Sequence, residues 1–180
     1  MQIERADATA RIASLAGLAL ALTGATRVTD PVPRVVDFRF EAGARPRLEQ
    51  GPPFSVSHTT DRVACVVCAV GDVGLDIETL PSGAGPTTLR ELSRWTATEA
   101  TLKAAGLGLR QVRDVLLEAP PLAAILHGRR YALREFQLAS RTIGHVASVE
   151  PLEVLVDSVA LDGVEVSSAV QRALGLPTQG

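Results

Sequence analysis

Two carboxylates at the end of an apolar stretch are the first residues whose spacing could do chemistry. Asp76 and Glu78 lie two apart in GLDIE, after a run that otherwise avoids charge. In an extended chain, residues two apart project from the same face. Neighbouring carboxylates repel each other, and each raises the other's pKa. A hard cation such as Mg²⁺ between them would remove that cost. A solvated turn after a strand would also accommodate the pair, so both interpretations stay open here.

Glu99 and Lys103 form a second pair, four residues apart in TEATLKAAGLGL, with Trp95 four residues before Glu99. On a helix all three side chains share one face. A surface ion pair would explain Glu99 and Lys103 equally well. A capping box that starts at Thr96 would instead place Glu99 in a first helical turn. We expect the helix to begin at Thr87 or Thr88, which would leave Glu99 in its interior.

The third candidate is FSVSHTT, in which Ser57 and His58 follow a short extended stretch. A hydroxyl, an imidazole and loop amides are suitable ligands for a phosphate. A Ser-His nucleophile pair is disfavoured, because adjacent side chains seldom point at each other and no G-x-S-x-G elbow is present. A lone histidine in a loop is also commonly just a polar surface residue.

Taken in order, FSVSH, GLDIE and W-x-x-x-E-A-x-x-K-x-x-G-x-G-L resemble the 4′-phosphopantetheinyl transferase superfamily, of the longer, surfactin-synthetase type. The resemblance covers about Arg45 to Leu109, and more loosely the N-terminal helix and the C-terminal strands. It implies an enzyme that moves the phosphopantetheine arm of coenzyme A onto a serine of an apo acyl or peptidyl carrier protein. Mg²⁺ or Mn²⁺ would be the cofactor, and the pathway would be fatty acid, polyketide or nonribosomal peptide synthesis.

The resemblance also implies roles for individual residues. The metal ligands would be Asp76, Glu78 and Glu99. The catalytic residues would be Glu99 as the base, with Asp76 and Lys103. Coenzyme A would be contacted by Ser57, His58, Lys103, Arg45 and, as the weakest match, Arg11.

The sequence departs from the family between GLDIE and Trp95. The segment TLPSGAGPTTLRELSR is shorter than in related enzymes and lacks their F-x-x-x-E element, and Thr98 stands where lysine is common. We therefore keep two alternatives. One is a repurposed relative that binds coenzyme A or a thioester without transferring the arm, and the other is a non-catalytic interaction protein. If a carrier binds, we expect it to contact the segment from Leu89 to Arg94.

The elements that must position these residues predict an α+β fold with antiparallel sheets. The resemblance implies two pseudo-equivalent halves, each a long helix packed on a small antiparallel sheet, as in the 4′-phosphopantetheinyl transferase fold. We expect one compact domain over residues 1–180, with approximate halves 1–72 and 73–180. The expected helices are Asp7–Leu22, which Gly24 would stop, Thr87–Ala105 and Ser167–Leu174; the expected strands are Val35–Phe40, Phe54–Ser57, a hairpin of Val63–Val70 with Val73–Ile77, and strands within 132–140, 145–149 and 152–161.

Composition excludes several classes of protein. The net charge is −2 and aromatic residues are 3% of the 180 residues, which argues against nucleic-acid binding. Cys65 and Cys68 are three apart in a predicted strand, so their thiols should lie on opposite faces and be buried or half-buried. Without a disulfide framework, we expect the reducing cytoplasm. The apolar segment Ile12–Ala25 predicts a core helix, because it is short for a membrane span and lacks the positive flank of a signal peptide.

Overall fold

The computed structural model describes residues 2–29, 37–41, 45–119, 122–138, 141–151 and 153–155, and the side chains of residues 2–12 lie outside this description. The elements in these ranges are α1 Gln2–Ala25, β1 Phe38–Arg39, β2 Arg47–Leu48, β3 Phe54–His58, β4 Val63–Val67, β5 Val73–Thr79, α2 Pro86–Ala104, a 3₁₀ helix Leu109–Asp114, β6 Leu116–Glu118, β7 Ala123–Leu126, β8 Arg129–Leu138 and β9 Thr142–Ser148.

All strand pairs in the described part are antiparallel, which confirms the predicted α+β class. β1 pairs with β2, β3 pairs with β4, and the largest sheet has the order β5-β9-β8-β7-β6. α1 packs on β3 and β4, while α2 packs on β5 and β9. Each long helix therefore covers one antiparallel sheet, and the two sheets meet where β3 approaches β5.

The predicted hairpin of Val63–Val70 with Val73–Ile77 is wrong. β4 folds back on β3, with Phe54 opposite Val67 and His58 opposite Val63. β5 pairs instead with β9, which lies about seventy residues later in the chain. The turn at Gly71, where φ is +76°, carries the chain from one sheet to the other. A glycine turn between two apolar strands indicates a change of direction, but it does not specify the partner of either strand.

Two glycines of helix α1 face its sheet at positions where there is no room for a side chain. Gly17 and Gly24 are seven residues apart and therefore share a face. A Cβ at Gly17 would lie 2.5 Å from a methyl of Val56, and a Cβ at Gly24 would lie 2.5 Å from a methyl of Val67. The prediction that Gly24 stops the helix is wrong, since α1 continues to Ala25. Gly24 is used for close packing instead.

Helix α2 matches its predicted bounds to within one residue at each end. Its apolar face includes Ala97, Ala100 and Ala104, which lie in the core between the helix and the five-stranded sheet. At Gly74 the contact is between backbones, because a Cβ there would lie 2.0 Å from the carbonyl oxygen of Ala100 and 2.4 Å from the amide nitrogen of Ala104. The glycine of GLDIE thus allows α2 to rest directly on β5.

The remaining expectations have mixed outcomes. The strands predicted within 132–140 and 145–149 are confirmed as β8 and β9. The helix Ser167–Leu174, most of the strand within 152–161 and the start of Val35–Phe40 lie outside the described residues. Cys65 and Cys68 are free thiols in separate core clusters, as predicted, and burial raises the pKa of Cys65 to about 12. Among the described helices, none is long and apolar enough to cross a membrane.

Candidate active site

Residues from all three sequence segments meet in one pocket of about 240 Å³. Strand β3 contributes its end, β5 contributes the acidic segment, and α2 contributes one face. The lining is Val56, Ser57, His58, Asp76, Ile77, Glu78, Glu99 and Lys103. Six of the predicted site residues are therefore neighbours in space, although they span 47 positions of the chain from Ser57 to Lys103.

Asp76 is the buried centre of this pocket, with only 3% of its surface exposed. Its Oδ1 accepts hydrogen bonds from Lys103 Nζ at 2.6 Å and from Ser57 Oγ at 2.9 Å. Its Oδ2 is buried and has no hydrogen-bond partner among the described residues. A buried carboxylate oxygen without a partner costs about 1–3 kcal/mol, and such atoms call for a functional explanation.

Two serines join β3 to β5 where no strand ladder does. Ser55 Oγ accepts a hydrogen bond from the backbone amide of Leu75 at 3.1 Å. Ser57 Oγ accepts one from the amide of Ile77 at 3.3 Å. Both serines are buried. Ser55 was not among the predicted site residues, although its spacing of two from Ser57 places both hydroxyls on one face of the strand.

Glu99 lies in the interior of α2, which begins at Pro86, so the capping-box alternative is wrong. Its Oε2 is 3.8 Å from Lys103 Nζ. Burial, followed by the negative charge of Asp76, raises the pKa of Glu99 to about 6. Burial and Asp76 also raise the pKa of Glu78, and a hydrogen bond from Trp95 acts in the opposite direction. The three carboxylates are therefore close enough to repel one another.

Lys103 supplies the positive charge of the pocket. Its ammonium is shared between Asp76, Glu99 and Ser57 Oγ, the last at 3.3 Å. One ammonium against three carboxylates leaves the pocket short of positive charge, and oxygen donors suit a hard divalent cation. Nevertheless, the part of the chain that the structure describes contains no group of three or more His, Cys, Asp or Glu side chains arranged to hold a metal. In this arrangement the Lys103 ammonium is hydrogen-bonded to Asp76 Oδ1, an oxygen that a metal ion would need. The metal site therefore stays a prediction.

Arg45, which was assigned to coenzyme A, is not in the pocket lining. Arg45 Nη1 donates to the carbonyl oxygens of Val73 at 2.9 Å and Lys103 at 2.8 Å, and its Nη2 donates to Asp72 Oδ1 at 2.6 Å. These contacts tie the start of β5 to the end of α2. The side chain of Arg11 lies outside the described residues. Coenzyme A binding by either arginine stays a prediction.

A buried histidine lies beside the site and was not found from the sequence. His145 on β9 stands in register between Asp76 on β5 and Glu135 on β8. Its Nδ1 is 2.8 Å from Thr96 Oγ1, and its Nε2 is 3.7 Å from a carboxylate oxygen of Glu135. Burial lowers the pKa of His145 to about 4, so the imidazole is neutral at neutral pH. Its ring joins β9 to α2 through Thr96.

Comparison with known proteins adds no relative to these observations. No protein-family model matches the chain, and a search of the curated proteins finds no match. The resemblance to phosphopantetheinyl transferases therefore rests on the three sequence motifs.

Proposed function

We propose that the protein transfers the 4′-phosphopantetheine arm of coenzyme A to a serine of an acyl or peptidyl carrier protein. The observation that supports this most strongly is the meeting of residues from FSVSH, GLDIE and the α2 motif in one pocket. The polar residues of three short motifs, which are separated in sequence, are thereby neighbours across two sheets and a helix.

In the proposed reaction, the carrier serine oxygen attacks the β-phosphorus of coenzyme A. A new phosphodiester bond forms, the diphosphate bond breaks, and 3′,5′-adenosine bisphosphate leaves. The serine proton needs an acceptor. Glu99 is the best suited carboxylate, because its raised pKa of about 6 lies near neutral pH. Lys103 and His58 are the nitrogen donors of the pocket and would bind the phosphate oxygens.

A divalent cation held by Asp76, Glu78 and Glu99 would neutralise the charge that builds on the leaving phosphate. Two features of the protein itself fit such a cation. Asp76 Oδ2 is buried without a partner among the described residues, and the negative charge of Asp76 helps to raise the pKa of both Glu78 and Glu99. The ammonium of Lys103 has three N–H donors, and Asp76 and Ser57 accept two of them, so the third can bind a phosphate oxygen.

The direct test is incubation with coenzyme A, Mg²⁺ and a panel of apo carrier proteins, followed by intact-mass measurement. At least one carrier should gain one phosphopantetheine group. Excess chelator should prevent the gain, and so should Asp76→Ala. Unimpaired transfer by Asp76→Ala, or by the unaltered protein in chelator, would remove the metal assignment.

The alternative is a protein that binds coenzyme A or a thioester without transferring the arm. The observation that favours it is the ion pair of Lys103 with Asp76, which takes the position that the transfer reaction needs for a metal. Calorimetry with coenzyme A separates the two functions. Binding that is equally tight with and without Mg²⁺, with no carrier modified, would select the alternative.

A further inference from the structure

The ammonium in the candidate active site belongs to the only lysine of the chain. There are 18 lysine and arginine residues in all, and Lys103 is the single lysine among them. Its Nζ lies 2.6 Å from Asp76 Oδ1 and 3.8 Å from Glu99 Oε2. An ammonium is a compact point charge, so its effect on the two carboxylates depends closely on where it lies. Its position depends in turn on how the backbone of Lys103 is held.

Arg45 contacts that backbone directly. Its Nη1 donates to the carbonyl oxygen of Lys103 at 2.8 Å and to that of Val73 at 2.9 Å, and its Nη2 donates to Asp72 Oδ1 at 2.6 Å. Val73 is the first residue of β5 and precedes Asp76 by three residues. One guanidinium therefore links the residue that carries the ammonium to the strand that carries its carboxylate partner.

The contact lies at the C-terminal end of α2, where a helix most needs support. The helix ends at Ala104, one residue after Lys103. The last carbonyl groups of a helix lack partners within it and carry the negative end of its macrodipole, so a cation is favoured there. The amide of Gly106, where φ is +69°, also donates to the Lys103 carbonyl at 3.1 Å. Because helix ends fray when they are not held, these donors keep the last turn in place.

The donors of Arg45 are directed at the protein and not at the pocket. Both N–H groups of Nη1 are used by carbonyl oxygens, and Nη2 is paired with a carboxylate. Arg45 is also absent from the pocket lining, whereas Lys103 is part of it. The resemblance assigns Arg45 to coenzyme A, but these contacts give its guanidinium a different task.

We propose that Arg45 is a positioning residue for Lys103. Its guanidinium holds the end of α2 against the start of β5 and so keeps the Lys103 ammonium beside Asp76, within reach of a phosphate group of coenzyme A. The effect on coenzyme A rests on the proposed function, whereas the link from Arg45 to Lys103 does not. An Arg45 that bound a phosphate itself would leave Lys103 of the free protein unaffected when it is replaced, and this difference can be measured.

Lys103 can be observed alone, because the chain has no other lysine. With isotope-labelled lysine, NMR should show one lysine side-chain signal, which the contact with Asp76 shifts from its position in the urea-unfolded chain. Arg45→Met, measured well below its melting temperature, should move this signal toward the unfolded position. The matched control is Arg47→Met, which removes the same charge two residues away, at an exposed arginine that pairs with Glu41. The control should leave the Lys103 signal unchanged.

A double-mutant cycle on coenzyme A affinity tests the same link from the side of the ligand. By calorimetry, Arg45→Met should weaken binding about fivefold in the unaltered protein but less than about twofold in Lys103→Met, because a positioning residue then has nothing left to position. A direct phosphate contact would instead cost the same in both backgrounds. Arg45→Lys should weaken binding nearly as much as Arg45→Met, since an ammonium keeps the charge but lacks the planar fork that joins Val73 to Lys103.

An unmoved Lys103 signal in Arg45→Met, or equal losses of coenzyme A affinity in the two backgrounds, would overturn the proposal. If Arg45→Met does not fold, Arg45→Lys takes its place, because its ammonium can still donate to a buried carbonyl. The Lys103 signal is then the one that disappears when Lys103→Met is added, and the same two results overturn the proposal. If coenzyme A does not bind at all, the proposed function fails, while the Lys103 signal still decides the role of Arg45.

Discussion

Asp76 combines a short ion pair with a buried oxygen that has no partner among the described residues. The negative charge of Asp76 also disfavours the ionised forms of the neighbouring Glu78 and Glu99. Lys103 and Ser57 hold one oxygen, while Oδ2 is left alone among the described residues. Such an arrangement lowers the stability of the free protein. Residues that cost stability in the free protein are expected at sites that bind a charged ligand.

Glu99→Gln should stabilise the free protein and slow the reaction. The raised pKa of about 6 means that the ionised carboxylate is disfavoured in the fold, so removal of its charge at pH 7 should increase the free energy of unfolding by about 1 kcal/mol. Arm transfer should fall by about 100-fold or more, because the proton acceptor is lost. Urea denaturation in chelator and single-turnover rates measure the two effects. Normal turnover together with lower stability would contradict the assigned role.

Lys103→Met should convert the ion pair into an unpaired buried carboxylate. In chelator we expect a loss of about 2 kcal/mol in the free energy of unfolding, less than for a fully buried pair because Lys103 is partly exposed. Mg²⁺ should then raise the melting temperature of this variant more than that of the unaltered protein, since the cation no longer competes with the ammonium. An equal Mg²⁺ shift in both proteins would show that the cation does not bind at Asp76.

His145 makes stability depend on pH in a predictable direction. Its pKa is about 4 in the folded protein, against 6.5 ordinarily, so the unfolded chain binds the proton more readily. The contribution of the neutral imidazole to the free energy of unfolding is complete above about pH 6.5. It declines by up to about 3 kcal/mol as pH falls toward about 4. His145→Gln should flatten this decline. Glu78 and Glu99 act in the opposite direction but are present in both proteins, so they cancel in the difference. Parallel stability curves for the two proteins would contradict the assignment.

At the scale of elements, the contact of α2 with β5 sets the positions of the charged groups. Gly74 precedes Asp76 by two residues on the same face, and its missing Cβ leaves room for the backbone of α2. Glu99 and Lys103 can then reach the buried carboxylate from one turn of that helix. The glycine of GLDIE is thus as much a part of the site as the two acids.

Gly74→Ala should separate these two elements. The added Cβ would lie 2.0 Å from the carbonyl oxygen of Ala100, and backbone cannot move aside as a flexible side chain can. We expect a loss of about 3 kcal/mol in the free energy of unfolding and weaker binding of coenzyme A. Gly108→Ala is the control, because its Cβ would meet open space and its φ of −95° suits any residue. A Gly74→Ala protein as stable as the control would contradict this account.

At the scale of the whole molecule, two helix-covered sheets are joined at the pocket of the candidate active site. The link between β3 and β5 consists of the hydroxyls of Ser55 and Ser57, which take the place of a backbone ladder. The pocket therefore depends on side chains that also hold the two sheets together. Loss of either hydroxyl should affect stability and ligand binding in different proportions.

Ser55→Ala should lower the free energy of unfolding by about 1–3 kcal/mol, because the buried amide of Leu75 loses its acceptor. Ser57→Ala should cost a similar amount, and it should also weaken coenzyme A binding, since Ser57 contacts Asp76 and Lys103 directly. Denaturation and calorimetry on both variants provide the comparison. Equal losses of coenzyme A affinity in the two variants would show that Ser57 affects binding only by linking β3 to β5.

The sequence by itself determined the local elements and the chemistry that they carry. Helical periodicity located α2 to within a residue, and spacings of two and four placed Asp76 with Glu78 and Glu99 with Lys103 on shared faces. These are properties of φ and ψ periodicity, which act over a few residues and need no knowledge of the rest of the chain.

Only the tertiary structure decided which elements meet. In the folded chain β5 pairs with β9 and not with β4, and Gly24 lies inside α1. Arg45 donates to two backbone carbonyls, and Lys103 forms an ion pair with Asp76. It also brought the distant His145 into register with Asp76. Strand partners and buried charge pairs depend on burial of the whole core and on desolvation, which are sums over residues far apart in sequence, so no local spacing can specify them.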